Sequence, residues 1–107
     1  MQYKIDLNPE YPNQEFDIIF EDTDINLHIL LQTNDSETLM MSVFLNNKQL
    51  GDAFVCFSNQ FVIPYPYIEE KIGGNFVFET SNYVYPNYEN FNSTCNLYFV
   101  TLDEINA

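Results

Sequence analysis

The sequence predicts an all-β fold: a small antiparallel β-barrel or sandwich of about six or seven short strands, with one long aromatic loop. Three observations point there. Apolar residues recur with a period of two rather than of about 3.6. Turn formers (Asn, Asp, Pro and Ser) break every apolar run before it reaches helical length. No stretch carries a clean helical stripe, and only residues 68–72 leave room for a single helical turn.

The elements follow in order. Tyr3, Ile5 and Leu7 alternate with Lys4 and Asp6, which reads as a first short strand. Asn8-Pro9 and Tyr11-Pro12-Asn13 end it, because proline disfavours the helical region for the residue before it. Phe16, Ile18 and Phe20 mark a second strand. After the polar turn at residues 21–24, Ile25, Leu27, Ile29 and Leu31 mark a third, the hairpin partner of the second. The fourth runs from about Leu39 to Leu45, with Met41, Val43 and Leu45 on one face. Asn46-Asn47 suits a hairpin tip, since Asn tolerates left-handed backbone. Gln49, Leu50 and Gly51 return, and residues 53–57 (AFVCF) read as strand or tucked loop. Residues 61–67 are apolar, but Pro64 and Pro66 cannot donate to a central ladder, so an extended edge or covering segment is expected. Gly73-Gly74 turns into a strand over residues 75–80, and the last strand is expected over Cys95–Thr101. Between them, residues 83–92 form the long loop, expected to be ordered because its rings need burial. One domain spans residues 1–107, with 1–8 and 102–107 as extended or interface-forming tails.

Composition then narrows function. Hydrophobic residues make up 46 % of 107, enough to exclude a disordered linker, and the chain is too short for a core plus a deep cleft. No apolar run approaches membrane-spanning length, and the N-terminal residues lack the apolar core of a signal peptide, so synthesis in the host cytoplasm is expected. Sixteen acids face three lysines and no arginine, for a net charge of −13. Phosphate backbones and anionic lipids are held by Lys and Arg, so neither direct nucleic-acid binding nor membrane binding is expected.

Chemistry is equally constrained. His28, the single histidine, lies mid-strand and is read as a surface residue rather than a base. Glu21, Asp22 and Asp24 share a turn that lacks the glycine and terminal glutamate of a calcium loop, so no metal site is expected. Cys56 and Cys95 sit in apolar strand contexts and read as buried thiols, with a disulfide open only if two strands set them side by side. No cofactor and no enzymatic activity are expected.

The one constellation that stands out is aromatic. Residues 73–101 hold Phe76, Phe78, Tyr83, Tyr85, Tyr88, Phe91, Tyr98 and Phe99. Phe76, Phe78, Phe91 and Phe99 are assigned to the core. Tyr65, Tyr67, Tyr83, Tyr85 and Tyr88, most of them beside proline or asparagine, are assigned to a protein interface, where amphipathic tyrosine rings are enriched.

The order of these motifs resembles the small plug proteins of contractile-tailed phage baseplates, typified by a cyanophage baseplate plug. The pieces that carry the likeness are Tyr11-Pro12-Asn13-Gln14-Glu15-Phe16, the strand Leu27 to Leu31, Leu50-Gly51, Gly73-Gly74-Asn75-Phe76-Val77-Phe78, and Leu97-Tyr98-Phe99-Val100-Thr101. The resemblance implies a non-enzymatic virion structural protein of the tail baseplate. It would form or seal the central hub or channel and contact hub, tube or tape-measure proteins. It would be a homo-oligomer, three or six copies suiting the tail axis equally. The rival expectation is an acidic protein-binding or DNA-mimic inhibitor domain, favoured if the carboxylates gather on one face.

Overall fold

The structure is a computed structural model that describes residues 2–20, 24–81 and 85–106. Seven strands make two antiparallel sheets, a sandwich-like arrangement rather than a closed barrel. In chain order they are β1 (Gln2–Ile5), β2 (Gln14–Ile19), β3 (Asn26–Thr33), β4 (Leu39–Leu45), β5 (Lys48–Val55), β6 (Gly74–Thr80) and β7 (Cys95–Thr101). One sheet has the order β2-β3-β4-β5, the other β1-β7-β6.

The period-two pattern does what it predicts. Leu27, Ile29 and Leu31 of β3 and Met41 and Val43 of β4 are all fully buried. They face Phe76 and Phe78 of β6 and Leu97 and Phe99 of β7 within one core cluster. Phe76 meets Phe99 edge-on, with ring centroids 5.1 Å apart, and Phe91 stacks on Phe78 at 5.9 Å. All four phenylalanines assigned to the core are there. Asn46 and Asn47 take positive φ at the β4–β5 tip, as the hairpin requires.

Two local expectations need correction. Residues 66–72 are a helix, α1 (Pro66–Ile72), two turns rather than one, so the extended segment ends before Pro66. Proline costs nothing at the first helical position, where its missing N–H has no partner anyway. Ile68 and Ile72, one turn apart, bury the inner face, and Gly73 closes the helix at φ 83°, its N–H donating to the Glu69 carbonyl. The first short strand is where the alternation of Tyr3 and Ile5 with Lys4 puts it: β1 pairs with β7 from Gln2↔Val100 to Ile5↔Leu97. The C-terminal tail coils into a short helix, α2 (Leu102–Ile105), with Asp103 and Glu104 in its first turn, where the helix dipole favours acids.

Asparagine side chains join the parts. Residues 58–63 form a strap along the outer edge of β6, bridging Ser58 to Phe78 and Phe61 to Val77. Asn75, fully buried in β6, grips the strap at Ile63: its Oδ1 accepts from the Ile63 N–H at 3.0 Å and its Nδ2 donates to the Ile63 carbonyl at 2.8 Å. Asn59 of the strap reciprocates on Thr80 of β6, accepting from its N–H and donating to its carbonyl. Asn92 does the same to Leu7, eighty-five positions away. Each amide mimics a strand by satisfying both backbone groups of one residue.

Candidate protein-docking face

The strap and α1 carry aromatic side chains to one surface. Phe54 and Val55 stand at the end of β5, Phe57 and Phe61 on the segment that follows, and Tyr65 and Tyr67 at the start of α1. The Tyr65 ring lies 6.0 Å from Phe54 and 5.6 Å from Tyr67, so the three form a tilted series. Phe57, Phe61 and Tyr65 are each 47 % exposed, Tyr67 59 % and Tyr85 77 %. Rings left this open, in a chain that buries Phe76, Phe78 and Phe99 almost completely, make this surface the candidate contact face.

Phe57 is the hub of this surface. It borders three shallow depressions. The largest, about 420 Å³, lies between Ser36–Leu39 and the pair Tyr85-Pro86, with Cys56 at its base. A second, about 270 Å³, runs over Phe54, Phe61 and Pro64. The third, about 250 Å³, joins Ser58 and Gln60 to Tyr85. No lysine or histidine lines any of them, and Glu37 stands at the rim of the first. These are open hollows, not enclosed ligand cavities.

The tyrosines named from sequence divide. Tyr65, Tyr67 and Tyr85 are exposed, and Phe57 links Tyr85 to the others. Tyr88 is half-buried in a 3-10 turn (Tyr88–Asn90) and leans on the core. Tyr83 lies outside the described residues. Sequence reading missed Val55, Phe57 and Phe61. The signal was the AFVCF run itself: successive strand residues alternate faces, so when Cys56 goes in, Val55 and Phe57 must go out.

The groups that carry chemistry are occupied or inert. Cys56 and Cys95 are free and buried. Burial pushes the Cys56 thiol far above its ordinary range, with the neighbouring Cys95 adding to it. Burial also pushes Cys95 up to about 11, against the opposing backbone hydrogen bond at Asn87. Both are protonated at neutral pH, and the thiol is a poor nucleophile. His28 sits on the outer face of β3, its Nδ1 2.8 Å from Asp17 Oδ1 and its Nε2 3.3 Å from Glu15 Oε2. The Asp17 hydrogen bond raises its pKa, desolvation opposes, and Glu15 adds to the rise. With both ring nitrogens on carboxylates, none is left to activate a nucleophile. Among the described residues no group of three or more His, Cys, Asp or Glu side chains is placed to hold a metal ion. The acidic turn weighed for calcium falls largely at 21–23, outside the described residues. Among the described residues no helix is long and apolar enough to cross a membrane.

Two comparisons with known proteins concern the chain as a whole. The family model described as "Cyanophage baseplate Pam3 plug gp18" matches residues 2–103 of the chain. No curated protein matches it.

Proposed function

The chain belongs to the cyanophage baseplate plug family, and on that premise we propose that it is a structural protein of a phage tail baseplate that docks through its exposed aromatic face. The family match over residues 2–103 carries the reading. Phe57, Phe61, Tyr65, Tyr67 and Tyr85 supply what a protein contact needs: rigid rings of large area that lose little side-chain freedom on binding, with Val55 beside them. Tyr88, also named from sequence, follows Tyr85 on the 85–92 loop but leans on the core.

In this reading the partners are the hub, tube or tape-measure proteins, and copies of the chain surround the tail axis and seal its channel. The net charge of −13 suits such a place. Lys4, Lys48 and Lys71 sit on separate elements, so DNA finds no cationic patch to hold it as it passes. The inhibitor alternative asks for carboxylates gathered as a phosphate-like array; here acids fall on β2, β5, α1 and α2.

The test is a Phe57→Ala/Tyr85→Ala double variant. Both side chains are exposed, Phe57 by nearly half and Tyr85 by more, so stability should stay within about 1 kcal/mol of the parent. Incorporation into tail particles, read by quantitative blotting of purified virions, should fall severely. A stable variant that enters particles at the parental level refutes the docking face.

A further inference from the structure

We propose a second docking site, independent of the aromatic face: the seam between β1 and β2 accepts an inserted β-strand from a basic partner protein. β1 is the outer strand of one sheet and β2 of the other. Among the described residues, each therefore has one edge without a strand partner. Tyr3, Lys4 and Ile5 of β1, with Ile18 and Ile19 of β2 and Phe20 just beyond it, line a single groove of about 530 Å³. Its floor is the Phe20–Phe99 pair, ring centroids 5.4 Å apart.

Burial shows that the sandwich is incomplete here. The inward residues of β3 are fully buried, while Phe16 and Ile18 of the adjoining β2, Phe20 just after it, and Ile5 of β1 are only partly covered. Ile19 on the rim is 72 % exposed. At β6, by contrast, the strap closes the edge. The remaining free edge, β5, is distorted: its pairing with β4 is irregular around Val43, Ala53 takes φ 54°, and Asp52 and Lys48 lie on it. Such bulges and charges are how proteins blunt an open strand. The β1 and β2 registers run without interruption, so both present straight, usable edges.

Charge identifies the occupant. Glu15 and Asp17, on the outer face of β2, meet His28 on their β3 side but stay exposed, and Asp6 follows β1; Lys4 is the one cation lining the groove. A second copy of this chain would bring another −13 to the seam. A strand that alternates apolar residues with Lys or Arg fits instead. Its apolar side chains would cover Ile18, Phe20 and Phe99, and its cations would lie across from Glu15 and Asp17. Main-chain hydrogen bonds to a free edge would supply register, as in other strand-addition complexes.

The experiment uses the whole chain and three labelled peptides: alternating Ac-KVKIKVKV-NH2, its acidic counterpart Ac-EVEIEVEV-NH2, and a block control Ac-KKKKVIVV-NH2. Fluorescence anisotropy gives affinity, and amide hydrogen exchange gives location. The alternating cationic peptide should bind at least about tenfold more tightly than either of the others. It should slow exchange at the free amides of β1 and β2. Ile19→Lys, an exposed change that places a like charge on the rim, should weaken it by about tenfold or more with the melting temperature held, whereas Phe57→Ala should not. Equal binding of the block control, protection at the aromatic face, or no binding overturns the proposal. So does self-association of the peptide-free chain that Ile19→Lys abolishes, which would make a second copy the occupant.

Discussion

Asn75→Ala is the sharpest test of how this fold is held. The Asn75 side chain is fully buried and makes four hydrogen bonds: two with Ile63, one from the Phe76 N–H at 2.7 Å and one to Glu69. Ile63 is itself 2 % exposed and Phe76 fully buried, so truncation strands the Ile63 N–H and carbonyl and the Phe76 N–H away from water. Each orphaned group costs about 1–3 kcal/mol, so the three together lose at least roughly 4 kcal/mol. Glu69 is partly exposed and rehydrates, adding little. For a chain of this length the loss corresponds to a drop of roughly 20 °C in melting temperature. Urea unfolding followed by circular dichroism should show the midpoint falling with an unchanged slope. Because Asn75 anchors the strap just before Tyr65, amide exchange at residues 58–65 should accelerate more than at β3 or β4. A loss below about 1 kcal/mol would refute the reasoning, since water would then be filling the amide's place.

Two further predictions concern other parts of the chain. A Cβ on Gly74 would stand 2.2 Å from the Val100 carbonyl oxygen and 2.7 Å from the Phe99 ring, whereas one on Gly73 meets nothing within 4 Å but keeps φ at 83°. Gly74→Ala should therefore cost about 2–3 kcal/mol and Gly73→Ala about 1 kcal/mol, and denaturant titration showing the reverse order would contradict this placement. The His28 midpoint, followed by NMR, should lie above the unfolded value of about 6.5, because Asp17 and Glu15 favour the imidazolium. The resulting stability is present below the unfolded pKa and is lost as pH rises through the folded one; Asp17→Asn should lower the midpoint, and a midpoint unmoved by it would show that Asp17 is not the cause.

How much of this was legible in the sequence depends on the distance over which each feature is encoded. The alternation of Leu27, Ile29 and Leu31 against His28 and Leu30 is local, and it placed β3 and its hairpin correctly. The same holds for Phe76, Phe78, Leu97 and Phe99, and for the asparagine tip at 46–47. Helix α1 was written locally too, in Pro66, the Ile68–Ile72 spacing and Gly73, but two turns are short enough for the prolines to suggest an extended chain throughout. The asparagine pairs were not legible. Asparagine was expected to supply unusual backbone angles, and Asn46, Asn47, Asn59 and Asn92 do. Its second use, gripping a remote peptide, depends on Ile63, Thr80 and Leu7 arriving from elsewhere in the chain. The docking face was half legible for the same reason. Exposed tyrosines beside prolines were visible; that Phe57 would lie between Tyr85 and the strap follows only from the fold.

The asparagine pairs also separate what holds the molecule together from what surrounds it. An amide has no charge to screen and no proton to lose in the physiological range, so these latches grip alike in dilute buffer, in brine and in mild acid. The carboxylate surface responds strongly: added salt mutes the mutual repulsion of thirteen net charges and relaxes the strain on the compact state. A particle component built this way keeps a constant interior across changing ionic surroundings, while its outer field strengthens or fades with them.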